Sequence, residues 1–105
     1  QGEKVHDVKI GATFFGDVMS GRKNFELRKN DRGYKVGDTI VLNEYENGYK
    51  TGRSVTKKIV YMLEDYAGLE EDYCILGLGA VEGTLREAAT GAGQYADNRT
   101  LEYGA

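Results

Sequence analysis

The sequence predicts a small α+β protein of one domain, rich in strands. Among its 105 residues are fifteen Gly and eight Tyr but no Pro and no Trp. Tyr suits half-buried pleated surfaces and Gly supplies turns, so this composition favours strands over a helical bundle. Asn47-Gly48 lies between two strand-like segments and suits a two-residue hairpin turn. A single short segment near the start has the spacing of a helix.

The first two elements follow from their apolar spacing. The segment 5–10, VHDVKI, alternates and predicts a short strand whose apolar side carries Val5, Val8 and Ile10. In the next segment, GATFFGDVMSG, the apolar residues recur at helical spacing: Phe14, Phe15, Val18 and Met19. Gly21 then predicts the end of a helix of about two turns.

The central segments predict three more strands joined by turns. KNFELRKN alternates, and we expect Phe25 and Leu27 to point inward and Asn24, Glu26 and Arg28 outward. A loop over 30–38 leads to the strand TIVLNEY and through the hairpin to a long strand over 49–63. Neither face of that strand is purely apolar, which predicts a bulge or twist.

After an acidic loop, the apolar composition of the segment CILGLGAV predicts a buried strand. We therefore expect one domain over residues 3–81. Residues 82–105 have few large apolar groups and predict a tail that is flexible or partly helical, with a possible helical turn over 84–89.

The charge distribution predicts a localised contact with an anion. The net charge is −3, yet residues 1–62 hold twelve basic and eight acidic residues, a net +4, while residues 63–105 hold two and nine, a net −7. A polyanion would meet attraction in the first part and repulsion in the second. The single Cys and the absence of a long apolar run predict a cytoplasmic protein with no membrane contact, and we expect a monomer.

Several kinds of chemistry are disfavoured. The sequence has no phosphate-binding glycine motif, and one His and one Cys without ligand spacing predict neither a metal site nor a cofactor. Cys74 reads as a core residue, and His6 either faces a pocket or is a strand histidine with an ordinary hydrogen bond. Gly37 and Asp38 are typical of a turn before a strand.

The stretch 20–42 contains six Lys or Arg, with Tyr34 among them. Cations that hold phosphates and aromatic rings that stack bases are the mixture used for single-stranded RNA. The alternative is a solvated strand in which Glu26 and Arg28, two residues apart, point the same way and neutralise one another. The residues alone leave both interpretations open.

A family resemblance bears on this choice. Six parts of the sequence carry it: His6, SGRKNFELRKNDR, VGDTIVLNEY, TGR, VYML and YCILGL. Together they span about 5–78 and resemble the ASCH superfamily, and within it a small bacterial and phage family of unassigned function. The resemblance implies a PUA-like mixed β-barrel of about five to six strands with one or two short helices, associated with RNA binding or modification. The family motif GxKxxExR falls on Gly21, Lys23, Glu26 and Arg28 and implies that this stretch lines the ligand cleft.

Two functions follow as hypotheses. The first is an RNA-binding or nucleotide-binding module, with ligand-binding residues His6, Lys23, Asn24, Glu26, Arg28, Asn30, Arg32 and Tyr34. The second comes from ASCH-like amidohydrolases that act on N4-acylated cytidine with a lysine, a threonine and a later glutamate. Lys23 matches that lysine, but Glu26 stands at the threonine position, so Lys23 and Glu26 would be catalytic only in a modified mechanism. Glu70, Glu71 and Tyr73 are the candidates for the later acid. A regulatory protein-interaction module is a third possibility.

Overall fold

The computed structural model describes residues 3–81, and these form a small mixed sheet with one helix. The elements are β1 (Val5–Gly11), α1 (Ala12–Ser20), β2 (Phe25–Lys29), β3 (Thr39–Glu46), β4 (Tyr49–Glu64) and β5 (Tyr73–Gly79). In this part of the chain no helix is long enough to cross a membrane. The predicted tail over 82–105 and the possible helical turn over 84–89 lie outside the described residues.

The five strands form a half-barrel in the order β1-β3-β4-β5-β2. β1 pairs with β3 in parallel, and the other neighbours are antiparallel. The sixteen-residue strand β4 joins two parts, because its first half pairs with β3 and its second half with β5. β1 and β2 are therefore the two edges, and they face each other across the opening of the half-barrel.

The local signals in the sequence produce the expected turns. Gly21 ends α1 with a φ of 88° and donates its N–H to the carbonyl of Val18. Asn47 and Gly48 have φ values of 53° and 83°, both positive as a type I′ hairpin turn requires. The predicted irregularity of β4 is a change of register between Ile59 and Tyr61. The predicted helix, hairpin and bulge are confirmed.

The core fills the inner face of the half-barrel and the side of α1 that covers it. The fully buried side chains are Phe15, Val18, Ile40, Leu42, Ile59, Cys74 and Leu76. Burial raises the pKa of the Cys74 thiol, as expected for a core residue.

Two orientations differ from the sequence prediction. In β1 the buried residues are His6, Val8 and Ile10, whereas Val5 is exposed. In β2 the prediction is reversed: Glu26 is buried, while Phe25 and Leu27 are exposed. Alternation separates two faces of a strand but does not say which one is covered. Here the charged face points inward, where Glu26 contacts Lys23 and Arg28.

Candidate ligand-binding site

Glu26 is the centre of the candidate site. It lies opposite Leu76 of β5, which is completely buried, so its side chain points into the half-barrel. Only 5% of the residue is exposed. A carboxylate in such a position is costly unless cations and hydrogen-bond donors compensate it.

Two cations compensate Glu26, one at each carboxylate oxygen. Nζ of Lys23 contacts Oε1, and Nη1 of Arg28 donates to Oε2 at 2.6 Å. The two cationic side chains are 16% and 22% exposed, so both remain accessible at the surface. Two positive charges and one negative charge leave the cluster with a net +1. The structure thus contains the Glu26–Arg28 pair that strand geometry predicts, and adds Lys23 to it.

Lys23 also lies between two exposed aromatic rings. Its Nζ is 5.1 Å from the ring centroid of Phe14 on α1 and 5.0 Å from that of Phe25 on β2. The backbone N–H of Lys23 donates to the carbonyl of Asp17, which holds this residue against the end of the helix. Aromatic surface, a cation and a carboxylate therefore lie together in one place.

Arg28 crosses the opening of the half-barrel. Its Nη1 donates to the backbone carbonyl of Lys9 on β1 at 3.2 Å, so one guanidinium links the two edge strands. We call this opening the seam: the space between β2 and the β1–α1 segment, bordered by His6, Lys23, Glu26, Arg28 and Tyr34. The seam is where the fold brings these predicted site residues together.

His6 and Tyr34 lie together along the seam. Nε2 of His6 donates to Oδ2 of Asp38 at 2.7 Å, and the rings of His6 and Tyr34 pack with centroids 4.7 Å apart. Burial opposes the charge of Asp38, but the hydrogen bonds from His6 and from the N–H groups of Lys4 and Lys35 outweigh it and lower the pKa of that carboxyl. Asp38 thus has the predicted turn role and also orients His6.

The Tyr34 hydroxyl is the unusual polar group of the seam. It is buried and has no hydrogen bond of ordinary geometry within residues 3–81. Burial raises the pKa of this hydroxyl, while the nearby Arg28 guanidinium works in the opposite direction. A buried hydroxyl of this kind can donate to or accept from a ligand that enters the seam.

The comparison with known proteins now identifies the family. A family model described as a domain of unknown function, DUF3850, matches residues 5–78. The chain belongs to the DUF3850 family. It is also 42% identical over 73 residues to an uncharacterized 12.9 kDa protein in the GpA 3' region of Escherichia phage P2. That match covers 70% of this chain and 66% of the phage protein, so the chain spans about two thirds of the length of that relative.

The remaining predicted residues of this DUF3850 domain lie around the seam rather than in it. Asn30 accepts from the N–H of Tyr34 at 3.2 Å and donates to Glu64, so it positions the loop that carries Tyr34. Asn24 is exposed, and its backbone carbonyl accepts a hydrogen bond from the backbone N–H of Leu78. Arg32 is exposed beside Asp31, with 4.0 Å between the charged groups. Of these three, the side chain of Asn30 has the clearest structural role.

The candidates for a later catalytic acid lie away from Lys23. Tyr73 pairs with Lys29, at the end of β2 opposite to Lys23, and Glu70 and Glu71 are in the loop before it. Within residues 3–81 no group of three or more His, Cys, Asp or Glu side chains is arranged to hold a metal ion. The carboxylate that does lie next to Lys23 is Glu26 itself.

Sequence reasoning missed a second buried glutamate in the DUF3850 domain. Glu44 accepts from Nε and Nη2 of Arg53 at 2.8 and 2.9 Å and from the Thr51 hydroxyl at 2.7 Å. The hydrogen bonds from Arg53 lower the pKa of Glu44 more than its burial raises it. A signal for it exists in the sequence, since Glu44 shares the strand parity of Ile40 and Leu42.

Proposed function

We propose that the DUF3850 domain is a PUA-like module of the ASCH superfamily. It binds, at the seam, either a free nucleotide or one nucleotide within a single-stranded RNA. The observation that carries the proposal is the cluster of Lys23, Glu26 and Arg28, which has one surplus positive charge and lies beside exposed aromatic rings. A nucleotide needs the same three features: cations for its phosphate, an acceptor for a base amino group and a surface for stacking.

Each residue has a distinct part in this proposal. Lys23 and Arg28 hold the phosphate or the carbonyl edge of the base, since both are charged and partly accessible. Glu26 accepts from an exocyclic amino group, because a carboxylate is an acceptor only. Phe14 stacks on the base. The net charge of +4 over residues 1–62, which contain the cluster, favours the approach of an anion.

The test is a titration of the full chain with each of the four ribonucleoside monophosphates and with inorganic phosphate. The variants are Lys23→Ala and Arg28→Ala, and the matched control is Arg22→Ala, whose side chain is 80% exposed beside Asp17 and outside the cluster. We expect at least a tenfold loss of affinity for each cluster variant and little change for the control. Equal losses in all three, or no binding by the wild type, would contradict the proposal.

Glu26→Gln tests phosphate binding and base recognition separately. This variant keeps the shape of the side chain but raises the charge of the cluster from +1 to +2. We expect tighter binding of inorganic phosphate together with weaker discrimination among the four bases. If discrimination is unchanged, Glu26 does not contact the base.

A second candidate is hydrolysis of an N4-acylated cytidine. It is favoured by the contact of Lys23 with Glu26, since Glu26 could then activate water while Lys23 stabilises the oxyanion. Both carboxylate oxygens of Glu26 are already engaged by the two cations, which is why binding is the leading proposal. Release of cytidine from N4-acetylcytidine that is lost in Lys23→Ala would favour the enzyme.

A further inference from the structure

We propose a second nucleic-acid contact on the outer face of the sheet, where Phe25 and Tyr61 each stack a base of a single strand. We call this surface the outer aromatic face; it consists of Phe25, Leu27, Tyr61, Leu63, Ile75 and Gly77. The inference extends the proposed function from one nucleotide at the seam to a strand that continues past it, and in that respect rests on it.

Strand register places the two rings on one face. Phe25 of β2 lies opposite Gly77 of β5, and Gly77 lies opposite Tyr61 of β4. Directly paired residues point to the same side of a sheet, so the three residues form one row. The neighbouring row, which contains Glu26 and Leu76, is buried and points inward. Phe25 and Tyr61 therefore point outward.

Gly77 leaves the floor between the rings open. A Cβ atom at this position would lie 3.0 Å from Cβ of Tyr61, closer than side chains normally approach. Two strand spacings separate the backbones of β2 and β4, which is roughly 10 Å. A flat base can therefore reach each ring without meeting a side chain from the central strand.

The surface around the rings is accessible and apolar. Phe25 is 46% exposed, and Tyr61 is 65% exposed. The next row contains Leu27, Ile75 and Leu63, which face the same side by register. Aromatic rings carried on an open sheet are a recognised platform for unpaired bases, because every base has a face that can stack.

Charge favours a nucleic acid as the occupant. Lys23 lies over the Phe25 ring and also contacts Glu26, so the outer aromatic face is continuous with the seam. Lys58 borders the Tyr61 side through its pairing with Gly79, and there its Nζ forms an ion pair with Glu3 at 3.2 Å. No Asp or Glu points outward from the paired segments 25–29, 58–63 and 73–79. The segment 64–72, beyond the Tyr73 end of the face, holds five carboxylates, so the strand is expected to pass over the Phe25 and Tyr61 row.

The experiment measures how affinity grows with length. Fluorescence anisotropy of the full chain with labelled oligocytidylates of one, four and eight nucleotides should show tighter binding of the longer strands. Tyr61→Ala should weaken eight-nucleotide binding about tenfold and leave cytidine monophosphate binding unchanged. Tyr61→Phe should retain the affinity. The matched control is Tyr66→Ala, because Tyr66 is also 65% exposed but lies in the loop after β4.

Failure of this inference is distinguishable from failure of the proposed function. If the monophosphate binds but longer strands bind no tighter, or if the Tyr61 and Tyr66 variants lose affinity equally, the second contact is wrong while the seam remains. If the monophosphate does not bind but length-dependent binding is lost in Tyr61→Ala, the seam is wrong and the outer contact remains. A dimer in light scattering that dissociates in Tyr61→Ala would assign the face to self-association and overturn the inference.

Discussion

Two glutamates are buried on the inner face of the half-barrel, and their partners differ. Glu44 is held by both donor edges of one guanidinium, from Arg53, and by the hydroxyl of Thr51. Glu26 is held by two separate cations, Lys23 and Arg28, with one hydrogen bond to each oxygen. Counted over residues 3–81, the charges of Glu44 and Arg53 balance, whereas the Glu26 cluster has a surplus positive charge.

The difference separates a structural ion pair from a candidate binding site. At Glu44 the guanidinium of Arg53 donates to both carboxylate oxygens and balances their charge. The same guanidinium packs on the ring of Phe15, 4.9 Å from its centroid, and this contact holds Arg53 against the core. At Glu26 the surplus cation and the exposed rings remain for a ligand. The presence of a buried charge is therefore less informative than the balance of charge around it.

The largest expected effect comes from Arg53→Ala, which leaves Glu44 buried with Thr51 as its remaining partner. We expect a loss of about 3 kcal/mol in the free energy of unfolding. Arg28→Ala leaves Lys23 beside Glu26 and should cost only about 1–2 kcal/mol. Urea unfolding followed by circular dichroism measures both values.

Two results would show that the Glu26 and Glu44 clusters do not differ in role. If Arg28→Ala and Arg53→Ala destabilise the protein equally, the Glu26 cluster is as structural as the Glu44 pair. If, in addition, Arg28→Ala leaves nucleotide binding intact, the seam loses its role as the candidate site.

Acid should weaken the Glu44 cluster by an intermediate amount. The pKa of Glu44 is lower in the folded protein than its ordinary value of 4.5. Its contribution to stability is therefore complete above about pH 4.5 and is lost as the pH falls through the folded value. Comparison of urea unfolding at pH 6 and pH 3 should show a loss in the wild type that is about 1 kcal/mol larger than in Glu44→Gln. Equal losses would show that the Arg53 pair does not contribute to acid sensitivity.

The smallest expected effect concerns Lys57, an inward-facing charge that belongs neither to the Glu26 cluster nor to the Glu44 cluster. It lies opposite the buried Ile40, is half-buried, and has no ion-pair partner within residues 3–81. Burial lowers the pKa of Lys57, so the charge costs stability near neutral pH. Lys57→Met should raise the free energy of unfolding by about 0.5 kcal/mol.

Lys58→Met is the matched control, because Lys58 pairs with Glu3 at 3.2 Å and should gain nothing. The folded state binds the proton of Lys57 less tightly than the unfolded chain does. The cost of the Lys57 charge should therefore shrink as the pH approaches the ordinary lysine value of 10.5, so the stability gained by Lys57→Met should be smaller there than at neutral pH. Equal effects of the two substitutions would show that burial of Lys57 has no cost.

Much of the fold could be predicted because its signals are local. Gly21 ends the helix, Asn47-Gly48 forms the hairpin, and the mixed pattern of β4 becomes a bulge. The candidate site was predictable in part: Glu26 and Arg28 share a strand face, and a residue of the preceding loop, Lys23, joins them. The contact of Glu44 with Arg53 was not predicted, since it depends on the register of two strands across a hairpin.

By itself, the sequence determined which elements form, how they turn, and that a basic stretch accompanies β2. Only the tertiary structure decided which face of β2 is covered. A period of two is the same for either orientation, and Phe25 with Leu27 is the apolar choice for the interior. In the tertiary structure the Glu26 face is the covered one, where Glu26 lies opposite Leu76 and contacts Lys23 and Arg28, while Phe25 and Leu27 lie on an edge strand that leaves them exposed.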